Sequence, residues 1–152
     1  MGYDGALLTA TADPDHRPAL CRERVMNSGQ SCAEITVVKE GGETIIGVGR
    51  PTLDLSARNA FDTADFWGMG SALGSLYHNG ESQEWQGMEG YGEGDVLRLL
   101  LDSDAGTLTV KKNGTLLGVA VTSGLTGDLC WAVTCLTAGQ SVRIKALDPA
   151  EF

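Results

Sequence analysis

Residues 94–121 read GDVLRLLLDSDAGTLTVKKNGTLLGVAV. Three apolar runs are divided by an acidic turn, DSDAG, and by an Asn-Gly pair. The acidic turn looks like half of a calcium loop. A complete loop of that kind needs carboxylates at positions 1, 3 and 5, glycine at 6 and glutamate at 12. Counted from Asp102, the third position is Asp104, the fifth is already Gly106 and the twelfth is Asn113. Too few oxygen ligands remain, so no metal is expected. Turn chemistry accounts for the same residues. Asp and Ser side chains bond to nearby backbone amides, and Gly106 supplies a positive φ. Asn113-Gly114 suits a two-residue hairpin loop, whose central residues both take positive φ. The stretch therefore predicts a meander of three strands. Residues 96–101 are nearly all apolar, as expected of a strand buried on both faces. Residues 107–111 alternate, with Leu108 and Val110 to one side.

Strand signals recur on both sides of this segment at roughly ten-residue intervals, the spacing of a sandwich or barrel. Residues 5–11 are short and β-prone, and Pro14 and Pro18 bracket a loop. AEITVVK (33–39) and TIIGVG (44–49) read as a hairpin around KEGGE. Residues 50–65 turn polar and irregular, and loops of that length in a compact domain are often functional. A short strand at 75–78 closes on Asn79-Gly80, and 81–94 reads as a second long loop. Residues 131–136 and 141–146 form a last pair. No segment keeps a 3.6-residue apolar period for a full helix. The expectation is one all-β domain: an N-terminal segment, 1–24, with one short strand, a core at 25–147, and a flexible tail at 148–152.

Composition narrows the function. The chain has 152 residues, 42% of them hydrophobic and 20% charged, within the globular range. Its net charge of −9 argues against nucleic acid, whose phosphates call for a basic stripe. The four cysteines form no C-x-x-C pair, and the two histidines are far apart, so no zinc site is expected. No Ser-His-Asp or Cys-His order can be assembled, and no cofactor is implied. The N-terminus lacks a basic, apolar leader and no run reaches membrane-spanning length. A cytoplasmic, monomeric protein is expected, with reduced cysteines used as small buried side chains.

At this point the residues carry a resemblance. Gly94-Asp95, an apolar run to Leu101-Asp102, Gly106 to Val110, Asn113-Gly114 and Leu117-Gly118 to Ala120 are similar to the C-terminal core of the SPRY/B30.2 family. Residues 129–144 resemble the family's closing strand pair, 33–37 its "FEV" strand and 46–49 its "vGva" strand. Trp67-Gly68 and LYHNG (76–80) resemble segments of the SOCS-box-linked subgroup. The likeness spans roughly 25–146. It implies a bent antiparallel β-sandwich of two sheets, of the concanavalin A-like jelly-roll type. It also implies a non-catalytic module that binds a protein or short peptide through loops at one end, often as an adaptor or as the substrate-recruiting part of a ubiquitin ligase. Three positions depart from the pattern: Ala33 replaces the "FEV" aromatic, Arg98 interrupts the apolar run, and Thr137-Ala138 stand where the peptide-binding subgroup carries an aromatic.

The candidate partner-binding residues follow. Arg50, Arg58 and Asn59 offer donors suited to carboxylates and carbonyls, with Pro51 and Leu53 as apolar neighbours. Tyr77 can present a ring at a loop edge. Trp85 lies in a polar segment, ESQEWQG, and an exposed indole there would be an anchor. Thr137 and Ala138 complete the rim. No catalytic or metal residue is assigned. One alternative is a sugar-binding sandwich using Trp85 and Tyr91. Another is a glycan-active enzyme using two of Glu81, Glu84, Glu89, Glu93 and Asp95.

Overall fold

The computed structural model of the chain describes residues 6–9, 18–22, 24–39, 41–54, 63–135 and 139–152. Two six-stranded antiparallel sheets face each other. The first runs β1 (Ala6–Thr9), β12 (Ser141–Leu147), β3 (Gln30–Lys39), β8 (Val96–Asp102), β9 (Thr107–Lys112), β10 (Thr115–Val121). The second runs β2 (Pro18–Leu20), β11 (Cys130–Cys135), β4 (Thr44–Gly49), β5 (Phe66–Gly70), β6 (Leu76–His78), β7 (Glu81–Gln83). The all-β sandwich implied by the sequence is the architecture observed.

The predicted meander is β8–β9–β10, and its turns do what their residues require. Asp102 Oδ1 accepts from the amides of Asp104 and Ala105 at 3.1 and 2.9 Å, and Gly106 takes φ 74°. Asp104 Oδ1 accepts from the Gly29 amide at 3.2 Å, which spends the second acid on a neighbouring loop. Asn113 and Gly114 have φ 49° and 83°, the left-handed pair of a tight hairpin. Asn113 also locks the meander's start. Its Oδ1 accepts from the Val96 amide at 2.9 Å, and its Nδ2 donates to Asp95 Oδ1 at 2.9 Å. Asp95 Oδ2 accepts from the Gly92 amide at 2.8 Å. The Gly-Asp and Asn-Gly pairs of the opening stretch thus form one clamp across the β8–β9 pair.

Register then builds the core. Ile35, Leu97 and Lys112 align across β3, β8 and β9, as do Ala33, Leu99 and Val110. Period-two alternation sends Leu97, Leu99, Leu101, Leu108 and Val110 inward, where they meet Ile46, Val48, Trp67, Met69, Trp131 and Val133 from the second sheet. Small side chains stand beside large ones: Ala33, in the place of the family's aromatic, is fully buried between Leu99 and Ala146.

Several expectations need correction. Strand β8 is buried on one face only, and Val96, Arg98, Leu100 and Asp102 are half-covered. Its outward Arg98 pairs with Glu34 at 3.1 Å, directly across the ladder, which explains how a charge sits in that run. Residues 148–152, expected as a flexible tail, include local structure. They form a single 3-10 turn at Pro149–Glu151, capped by Asp148. Arg98 donates to the Glu151 carbonyl at 2.6 Å, Lys111 donates to the Phe152 carbonyl, and the Lys111 ammonium lies 4.4 Å from the Phe152 ring centroid. The N-terminal segment supplies two strands, one to an edge of each sheet, rather than one. Pro18 opens β2 at a sheet edge, where a missing amide costs least. Residues 81–83, expected in a loop, pair with β6 around Asn79-Gly80. Phe66-Trp67-Gly68 begins a buried strand, β5.

Two measurements check this description. The Asn113 amide holds the Asp95 carboxyl below the ordinary carboxylate value. The stability this gives is present above the unfolded value of about 3.9 and lost as pH falls through the lower folded value. Urea denaturation of Asp95→Ala should show a loss of about 1–2 kcal/mol at pH 7, with the gap from wild type narrowing below about pH 3.9. Cys32, on the outer face between Leu147 and Leu100, is 1% exposed, and burial pushes its thiol up to about 11. Removing residues 148–152 should raise the rate at which Cys32 reacts with a disulfide reagent in the native protein. An unchanged rate would mean that the turn does not cover it.

Candidate protein-interaction surface

The loop leaving β4 begins at Arg50, whose amide donates to the Asp65 carbonyl at 2.8 Å and closes the base of the loop. Its guanidinium is turned inward. Nη1 donates to the carbonyls of Thr126 and, at 3.2 Å, Asp128, while the group lies 5.2 Å from the Trp67 ring centroid. Arg50 therefore ties the β4–β5 loop to the β10–β11 loop, a structural use of donors that the sequence offers to a ligand. The carbonyls of Pro51 and Leu53 accept from Arg22 Nε at 3.2 Å and Nη2 at 3.3 Å. Pro51 is half-buried, and Leu53 is only 3% exposed.

Alternation across β5 and β6 decides which aromatics share a face. Trp67 pairs with His78 and points into the sandwich; Gly68 pairs with Tyr77 and points away from it. His78 stacks on Trp67 with centroids 4.4 Å apart, and its Nδ1–H donates to the Phe66 carbonyl at 2.8 Å. Tyr77 lies on the outer face of the second sheet, with its hydroxyl 3.4 Å from Glu43 Oε1. Glycine makes room for it: a Cβ on Gly70 would stand 2.6 Å from the Tyr77 ring and 2.2 Å from the Glu43 carboxylate. Tyr77 packs at the margin of a second apolar cluster, formed by Leu20, Ile45, Leu53, Phe66, Cys130 and Ala132. Burial raises the Cys130 thiol above its ordinary value.

Of the residues singled out in sequence, Leu53 and Tyr77 meet on this outer face. Trp85 does not join them. It is half-buried against the inter-sheet core beside β10, and its indole N–H donates to the Gly74 carbonyl at 2.7 Å. Arg58, Asn59, Thr137 and Ala138 lie outside the described residues. Sequence reasoning passed over Ile45, Glu43 and Arg22. Ile45 belongs to a strand, TIIGVG, without polar alternation, and a run of that kind signals burial on two faces. Glu43 and Arg22 act across 34 and 29 to 31 residues, and no local signal marks such partners.

Three residues of the alternative sites are committed to internal contacts. Tyr91 is buried, with its hydroxyl 2.6 and 3.0 Å from the carbonyl oxygens of Met69 and Thr44, so it offers no open ring to a sugar. Among the acids, Asp95 serves the meander clamp, and Lys112 lies 3.5 Å from Glu89 and 4.0 Å from Asp95. Among the described residues no helix is long and apolar enough to cross a membrane.

A family model for the SPRY domain matches residues 33–147. The chain belongs to the SPRY domain family, whose members are protein-interaction modules. It is 29% identical over 131 residues to the SPRY domain-containing SOCS box protein 3 of Xenopus tropicalis, and 28% identical over the same length to that of Xenopus laevis. In each case the alignment covers 81% of this chain and 35% of the relative, so the chain spans about a third of the length of these curated relatives. Among solved structures, the SPRY domain of human HERC1 superimposes with a TM-score of 0.72 at 28% identity, covering 86% of this chain and 82% of that one. The TRIM65 PSpry domain superimposes with a TM-score of 0.64 at 20% identity, covering 84% and 69%, a likeness of fold.

The inward use of Arg50 has a measurable consequence. Arg50→Ala should lower stability by about 1.5–3 kcal/mol, the scale of charge-assisted hydrogen bonds. Amide exchange in residues 124–128 should rise, because their carbonyl anchor is gone. Arg50→Ala with unchanged melting and exchange would show that the guanidinium holds nothing together.

Proposed function

We propose that the chain works by binding rather than by turnover, as a SPRY-type peptide-recognition module acting as a single copy. The observation that carries this reading is Tyr77. Alternation turns it out of the sandwich, yet it is half-buried and seated on a glycine-lined, apolar sheet face with a carboxylate at its hydroxyl. A rigid ring set at the margin of an apolar cluster, with one polar end, suits the recognition of a short segment of another protein. Such a site costs little ordering on binding, because sheet register already fixes the ring. Arg58, Asn59, Thr137 and Ala138 remain candidates for its rim on their chemistry alone.

The curated relatives are named for a SPRY domain joined to a SOCS box. That likeness supports an adaptor or substrate-recruiting role for this chain, in the setting of ubiquitin transfer. An intracellular, cytoplasmic location fits such a role.

Selection from a library of random nonapeptides tests the reading. Wild-type chain should recover a peptide family that Tyr77→Ala binds at least tenfold more weakly, with Tyr77→Phe intermediate and all three proteins melting within a few degrees of one another. Recovery of no peptide that depends on Tyr77 would remove this face as the recognition site.

A further inference from the structure

A flank of the sandwich opens between β10 at the edge of the first sheet and β7 at the edge of the second. A cleft of about 410 Å³ there is floored by Trp67, Leu76 and Ala120. It runs through Gln83, Ala120 and Thr122 into a second of about 600 Å³, bounded by Trp85 and Leu117. The floor is fixed. Trp85 is held by its bond to Gly74, and the turn beyond it lies so close to β10 that a Cβ on Gly87 would stand 1.8 Å from the Leu117 carbonyl. Strand β10 is irregular here, with register shifts at Leu116/Gly118 and Val119/Val121, and it leaves Val119 39% exposed at the rim.

The charge in this groove has one sign. Glu84 is the charged side chain among its lining residues, with no lysine or arginine in either part. Glu81 lies on β7, opposite His78 and on the same side of the strand as the lining residue Gln83. The His78 Nδ1–H is spent on the Phe66 carbonyl, so Nε2 is the ring's remaining polar atom. Thr122, Ser123 and Gln83 add oxygen acceptors. An apolar floor beside the Glu84 carboxylate complements a ligand that is apolar on one side and cationic on the other. A net charge of −9 favours the approach of such a ligand.

We propose that this flank is a second docking groove, separate from the Tyr77 face, for an extended basic peptide. An apolar side chain enters over Leu117, Trp85 and Ala120, and a neighbouring lysine or arginine meets Glu84. The inference does not rest on the proposed use of Tyr77.

The test uses the random nonapeptide library with the wild-type chain and a Glu84→Lys/Thr122→Arg variant. Both substituted side chains are exposed, so the fold should be retained, as melting would verify. Peptides that bind wild type and are lost from the variant should be enriched in lysine or arginine beside an apolar residue. Their binding should weaken at least tenfold in the variant and several-fold between about 50 and 500 mM salt. Nuclear magnetic resonance should show their largest shifts at the Trp85 indole, Ala120 and Thr122. An empty subtracted pool, a pool without basic residues, shifts confined to the Tyr77 face, or a wild-type dimer absent from the variant would each overturn the proposal.

Discussion

The structure depends on the clamp that joins Asp95, Val96 and Asn113. Apolar alternation by itself would allow the three strands of the meander a register shifted by two. The clamp removes that freedom. Asn113 takes the left-handed conformation that the hairpin requires and, with the same side chain, bonds the first amide of β8 and the carboxylate before it. A one-residue slip would break these bonds and also turn Leu97, Leu99 and Leu101 outward. Packing gives the sandwich most of its stability, and the clamp selects which packing forms.

From that fixed register the second sheet follows by complementarity. It meets the leucine layer with Ile46, Val48, Trp67 and Trp131, and its outer side then carries glycines, Tyr77 and the smaller apolar cluster around Ile45 and Phe66. The same alternation that buries Trp67 exposes its neighbour's partner. Function on this scaffold is therefore a matter of which side chains the register leaves outside and what the loops do around them. The polar side chains near the rim are largely committed to internal bonds. Arg50 holds a loop, Arg22 holds two carbonyls, and Gln140 donates to the Gly42 carbonyl and to Thr44 Oγ1 at 2.7 and 2.9 Å. A surface fixed in this way recognises a partner by shape more than by rearrangement.

The meander was legible because local chemistry decides it: Asn113-Gly114 and Gly106 permit one backbone path each, and Leu108/Val110 alternate cleanly. The long strands β3, β4, β11 and β12 were legible for the same reason. Strands β2, β5 and β7 were not. PAL, FWGMG and ESQ carry no alternation, and each exists because a neighbouring strand offers it hydrogen bonds. The placement of the candidate residues was legible in part. Tyr77 could be named from sequence as a ring at an edge, whereas the inward turn of Arg50 and Trp85 depends on Thr126, Asp128 and Gly74, which no spacing rule points to. The closing turn was missed because Pro149 and Glu151 look polar and loose until Arg98 and Lys111 are placed beneath them.

Amide hydrogen exchange of the chain with and without a bound peptide ligand tests the central claim, that a rigid sandwich recognises partners at its margins. Protection should increase only at margin residues, around Tyr77 and Glu43 or along the β7–β10 flank, while the amides of β3, β8 and β9 exchange slowly and equally in both states. Faster exchange across β8 and β9 in the free chain, slowed on binding, would show that the ligand organises the fold, and would contradict the account.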